Sequence, residues 1–86
     1  MTEWMYFYTP MCGTCKLAER FIDLAEHLPG AGQVMRRDIN EYSELAQKWQ
    51  ITSVPCLIRI AENKPVDRIY AFHDVPHVYQ FLKNSR

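Results

Sequence analysis

The run Trp4-Met5-Tyr6-Phe7-Tyr8 stops at Thr9-Pro10, and the pair Cys12-Gly13-Thr14-Cys15 follows at once. Continuous hydrophobicity from Glu3 to Tyr8 reads as a strand covered on both faces, because a half-solvated strand would alternate apolar with polar residues. Proline ends such a strand, since it cannot donate to a ladder and restrains the residue before it. This opening places two cysteines at the start of whatever element follows the strand.

The rest of the chain reads as alternating elements. A helix is expected from about Cys12 to Leu28, with Leu17, Phe21, Leu24 and Leu28 sharing one face and Glu19, Arg20, Asp23 and Glu26 on the others. Pro29-Gly30 stops it. Gln33 to Ile39 reads as a second strand, and Asn40 as the cap of a helix bearing Tyr42, Leu45, Ala46 and Trp49 as its apolar stripe. Ile51 to Pro55 is a connection and Cys56 to Ile60 a third strand. Glu62-Asn63-Lys64-Pro65 reads as a hairpin turn into a fourth strand, Val66 to Ala71. Asp74 suits an N-cap, Pro76 suits the first turn after it, and Val75, Val78 and Leu82 share the face of a last helix. The order β-α-β-α-β-β-α requires a parallel crossover first and a hairpin later, so the sheet is mixed, with helices on both sides.

Composition narrows the function classes. The 86 residues allow one domain, 1–86, and 48% of them are apolar or aromatic, enough for a core without metals or a disulfide framework. Ten basic and ten acidic residues give a formal charge of zero, and no basic stripe recurs, so a nucleic-acid partner is not expected. No apolar run is long enough to cross a bilayer, and the N-terminus, with Glu3 and no basic segment, does not read as a signal peptide. A cytoplasmic, reducing location is therefore expected. Three cysteines there point to redox or metal chemistry rather than to structural bridges.

Cys12 falls at the start of a helix, where unpaired backbone N–H groups and the helix dipole favour a thiolate, the attacking species in disulfide exchange. Cys15 lies roughly one turn on and can attack a mixed disulfide formed at Cys12. Gly13 and Thr14 keep the turn free of bulk and charge. Half of a zinc site has the same spacing, but no second Cys-x-x-Cys or close histidine pair completes four ligands.

With these residues assembled, the sequence resembles the thioredoxin and glutaredoxin superfamily over nearly its whole length. The resemblance rests on Phe7-Tyr8-Thr9-Pro10-Met11-Cys12-Gly13-Thr14-Cys15-Lys16 and on Ile51-Thr52-Ser53-Val54-Pro55. Asp38-Ile39-Asn40-Glu41 through Ala46-Gln47-Lys48-Trp49 supports it. It implies a thioredoxin-like α/β fold, a mixed four-stranded sheet flanked by three helices. It further implies a cis bond before Pro55, packed beside Cys12 and Cys15, and a Val54 backbone free to pair with an extended substrate. Met11, Ala71 and Phe72 would flank that docking groove. The chain starts later than thioredoxin, an outline closer to glutaredoxin. Met11 stands where thioredoxin commonly has tryptophan, and Tyr6 where it has a buried acid. The Gly-Gly and acidic segment with which many glutaredoxins dock glutathione has no match around Ala71-Phe72-His73-Asp74.

Other residues have plainer readings. Cys56 reads as a buried small hydrophobe, with an alternative as a disulfide partner or third metal ligand beside Cys12 and Cys15. Lys16 reads as a solvated helix residue, and His27, His73 and His77 show no metal spacing. Trp4, Trp49 and the tyrosines read as core, and Arg36-Arg37 as an exposed edge. The expected function is disulfide exchange by a monomer. Cys12 attacks, Cys15 resolves, and Val54 and Pro55 position the substrate, a protein or a low-molecular-weight disulfide. An external reductase or thiol must supply electrons, and no glycine-rich nucleotide fingerprint calls for an organic cofactor. The rival readings are a metal or iron–sulfur carrier using Cys12, Cys15 and Cys56, and a non-catalytic adaptor with the same fold.

Overall fold

In the computed structural model, which describes residues 1–83, the chain runs β1 (Thr2–Tyr8), α1 (Gly13–Glu26), β2 (Val34–Asp38), α2 (Ser43–Lys48), β3 (Cys56–Ala61), β4 (Lys64–Ile69) and α3 (Val75–Lys83). The sheet order is β2-β1-β3-β4, with β1 parallel to β2 and antiparallel to β3, and β3 antiparallel to β4. The aromatic run therefore lies in an interior strand, paired on both edges and covered on both faces, which is why its hydrophobicity is continuous.

The two faces of β1 feed two cores. Trp4 and Tyr6 join Leu57 beneath α1 and α3, packed with Ala18, Ile22, Ala25, Val78, Phe81 and Leu82. Met5 and Phe7 join Cys56, Ile58 and Ile60 on the other face, where Leu45 and Trp49 of α2 pack with Ile51, Val54 and Tyr70. The Trp4 indole N–H donates to the Phe81 carbonyl at 3.2 Å, so the buried ring leaves no orphan donor. A Cβ at Gly32 would overlap that same ring, which makes glycine a packing requirement there.

The buried face of α1 differs from the expected one. Leu17, Leu24 and Leu28 are exposed, and the helix buries Cys15, Ala18, Ile22 and Ala25 instead. That second row has helical spacing too, and its small residues pack in one core with Trp4 and Tyr6 of β1 and Val78, Phe81 and Leu82 of α3. Nor is Arg36 a solvated edge residue. Although β2 is an edge strand, the guanidinium lies against α1, 3.0 Å from Glu26, 2.5 Å from Asp23 and 3.6 Å from Glu19. Burial opposes its charge, but the Glu26 hydrogen bond and the three carboxylates outweigh burial and raise its pKa further. Glu26 also accepts from the Val34 N–H at 2.7 Å, so one carboxylate ties the helix to the start of β2.

Element ends shift for local reasons. Asn40 does not cap α2. It sits in a turn where its N–H donates to the Asp38 carboxylate, and Tyr42 occupies the cap without a side-chain bond. The hairpin turn is Glu62-Asn63, both with positive φ, and β4 begins at Lys64 rather than Val66. Pro65 is tolerated because β4 is an edge strand whose register shifts opposite Arg59 and Ile60. Asp74 caps α3 as expected, accepting from the His77 N–H at 2.9 Å.

Candidate active site

The first strand delivers the chain to the head of α1, and Thr9-Pro10-Met11 turns it. Cys12 is the N-cap of α1, with extended backbone angles. Its Sγ accepts from the Cys15 N–H at 3.0 Å and lies 3.3 Å from the Thr14 hydroxyl. A sulfur thus occupies the place where serine or aspartate usually satisfies an orphan helix donor. Cys12 and Cys15 are joined as a disulfide, with Cα atoms 5.1 Å apart. Their environments are unequal. Cys12 is partly exposed at the helix tip, whereas Cys15 is 2% exposed and faces the core.

Tyr6 lies beneath this turn. It is fully buried, and its hydroxyl donates to the Cys15 carbonyl at 2.6 Å. Its ring stacks on Tyr8, with centroids 5.9 Å apart, and meets Phe72 edge-on at 6.0 Å. Burial, with a smaller contribution from Glu19, pushes its pKa above that of an ordinary phenol. The phenol is therefore neutral across the physiological range and acts at this position as a donor.

The Val54–Pro55 peptide bond is cis, and Val54 lies just outside β3, which begins at Cys56. Pro55 lines a groove of about 310 Å³ with Thr14, Leu17, Ala18, Phe21, Tyr70, Phe72 and His73. Phe72 is buried and forms part of the groove's wall, whereas Ala71 is exposed and does not line it. Met11 is 94% exposed and stands clear of this groove. Sequence reasoning does not assign Leu17, Phe21 and Tyr70 to the site. The first two belong to the apolar row expected in the core; Leu17 is exposed instead and Phe21 only half-buried, and both line the groove with Thr14 and Pro55. Tyr70 reads as part of a strand, but β4 ends at Ile69, freeing it to hold Thr52 by its hydroxyl.

Cys56 is fully buried in the α2-side core. Burial pushes its thiol up to about 11, against the opposing effects of a Tyr70 hydrogen bond and the Arg68 charge, so it stays protonated and inert near neutral pH. Among the described residues no group of three or more His, Cys, Asp or Glu is placed to hold a metal ion, so Cys56 does not complete a ligand set with Cys12 and Cys15. His73 and His77 meet edge-on at 4.7 Å, a ring contact between exposed side chains. No helix among the described residues is long and apolar enough to cross a membrane.

Comparison with known proteins agrees with this geometry. The family model described as Thioredoxin matches residues 4–84. The thioredoxin-like protein YusE of Bacillus subtilis is 35% identical over 81 residues, which span 94% of this chain and 76% of that one. A thioredoxin of Staphylococcus aureus is 27% identical over 77 residues, 88% of this chain and 74% of its own. Among solved structures, a mutant thioredoxin from Halobacterium salinarum superposes with a TM-score of 0.81 at 24% identity. That match covers 98% of this chain and 74% of the other. The resemblance thus lies with thioredoxins and thioredoxin-like proteins.

Proposed function

The chain belongs to the thioredoxin family of thiol–disulfide oxidoreductases, and we propose that it reduces disulfides of cytoplasmic proteins through Cys12 and Cys15. The contrast between a partly exposed Cys12 and a buried Cys15 carries this reading. Only Cys12 is open to an incoming disulfide. The N-cap position, the Cys15 N–H and the Thr14 hydroxyl all favour negative charge on its sulfur.

In the first step the Cys12 thiolate attacks one sulfur of the substrate disulfide, and the other sulfur leaves as a thiolate that takes up a proton. In the second, Cys15 loses its proton and attacks Cys12. The Cys12–substrate bond breaks, and the second substrate thiolate is protonated. Two electrons have moved from the dithiol to the substrate, leaving the Cys12–Cys15 disulfide. A separate reductase or thiol then restores the dithiol. The half-buried Val54–Pro55 corner is proposed to pair with extended substrate backbone. The groove of Leu17, Phe21, Pro55 and Phe72 is proposed to take an apolar side chain near the scissile disulfide. Ala71 and Met11 would then border the substrate at the rim, because both are exposed. That lining favours protein substrates over small polar disulfides.

Charged residues and Pro65 along both edge strands (Arg37 and Asp38 on β2, Lys64, Asp67 and Arg68 on β4) disfavour edge-to-edge pairing and support a monomer. The direct test is turnover of a protein disulfide such as that of insulin, with dithiothreitol as donor. The wild-type chain should accelerate reduction well above the donor alone, and Cys12→Ser should fall to background. Equal rates with and without the wild-type chain would overturn the proposal.

A further inference from the structure

We propose that Tyr6 is a positioning residue for the second half-reaction, its hydroxyl holding the turn that carries Cys15 where that thiol can reach the Cys12–substrate disulfide. The inference rests on the dithiol reading above.

Three observations support it. Tyr6 belongs to the interior strand β1, flanked by β2 and β3, so its backbone is among the best fixed in the molecule. Its hydroxyl donates at 2.6 Å to the Cys15 carbonyl, giving the first turn of α1 a tether to the sheet besides its own helical bonds. The same ring meets Phe72, which lines the groove beside Thr14 and Pro55. One buried side chain thus touches both the resolving cysteine's backbone and the groove wall.

The partition between the two steps follows from what the phenol touches. Cys12 is held by its own N-cap geometry, and the Tyr6 hydroxyl is spent on the Cys15 carbonyl, so the first attack does not need it. Cys15, which is 2% exposed, must bring its sulfur to bonding distance of Cys12, as in the disulfide seen here. A small displacement of its turn lengthens that approach, and reactivity falls steeply with misplacement. No charged residue is buried among the described residues, so no carboxylate is sequestered in the core to receive the Cys15 proton. The step balances without one. Cys15 gives up a proton, the departing substrate thiolate gains one, and the disulfide transfers from substrate to Cys15. Geometry is then the main lever the fold has on the rate.

Tyr6→Phe removes one hydroxyl and keeps the ring. Stopped-flow reaction of the reduced protein with a fluorescent peptide disulfide resolves formation of the Cys12 adduct from its release. The expected result is adduct formation within twofold of wild type and release slowed by tenfold or more, so that the adduct accumulates transiently and is captured by acid quench. Release within twofold of wild type would overturn the inference, as would equal slowing of both steps, which is the signature of a merely loosened fold. Should Tyr6→Phe not fold, the wild-type sequence with 3-fluorotyrosine provides the same test, because that hydroxyl is a stronger donor of nearly unchanged shape. Faster release with unaltered adduct formation supports the role, and unaltered release refutes it. If wild type forms no adduct at all, the dithiol reading itself has failed, an outcome distinct from either.

Discussion

Single residues divide here by burial more than by type. The three thiols have three fates: Cys12 caps a helix at the surface, Cys15 faces the core beneath it, and Cys56 is sealed in the opposite core. Cys56 has a measurable consequence. Its folded pKa lies at about 11, above the ordinary 9.0, so the folded chain retains a proton that the unfolded chain has released. Stability from the neutral thiol is therefore complete below about pH 9 and is lost as pH rises through about 11. The full effect is worth about 2–3 kcal/mol. Denaturation of the oxidised protein, in which Cys12 and Cys15 do not titrate, should show stability falling less steeply over this range in Cys56→Val than in wild type. Parallel pH profiles would show that the thiol does not titrate through that range. The chemistry of Cys12 and Cys15 is legible in the sequence because spacing and context suffice. The Tyr6–Cys15 hydrogen bond is not, since it depends on how far a helix sits above a strand.

Most elements are legible as well, because strand and helix periods leave different marks on a sequence. The β-α-β-α-β-β-α order and the Asp74 cap follow from those marks and from proline and glycine punctuation. The buried face of α1 departs from expectation for a physical reason. Large side chains at helical spacing dominate an amphipathicity argument, yet close packing in a core shared with α3 selects small ones, here Ala18 and Ala25 around Ile22. This distinction is testable by comparing two substitutions on one helix. Ile22→Ala should cost about 2–5 kcal/mol in denaturant unfolding. Leu17→Asp, at a half-exposed position, should change stability by less than about 0.5 kcal/mol while raising KM several-fold for a protein disulfide and leaving reduction of a small polar disulfide unchanged. A large stability loss at Leu17, or an unchanged KM, would contradict the placement of the groove.

For the whole molecule, the sheet order β2-β1-β3-β4 puts the most apolar strand inside and gives the charged and proline-bearing strands to the edges. Sedimentation should therefore find a single 10.2 kDa species over a wide concentration range, and concentration-dependent dimerisation would contradict the edge argument. The topology also carries β1 to the head of α1, next to the connection into β3, so Thr14, between the two cysteines, and Pro55 line one groove although forty residues separate Cys15 from Pro55 in the chain. Their convergence is anticipated by resemblance alone, because residue spacing does not encode it. The proposed chemistry stands on attack by Cys12 and resolution by Cys15. Trapping tests it most directly: Cys15→Ser protein is incubated with a cell extract, with Cys12→Ser as the control. Reductant-sensitive adducts should be held on Cys12 in the first variant and be absent from the second. Equal adducts in both, or none in an extract that yields them to a known thioredoxin variant, would contradict it.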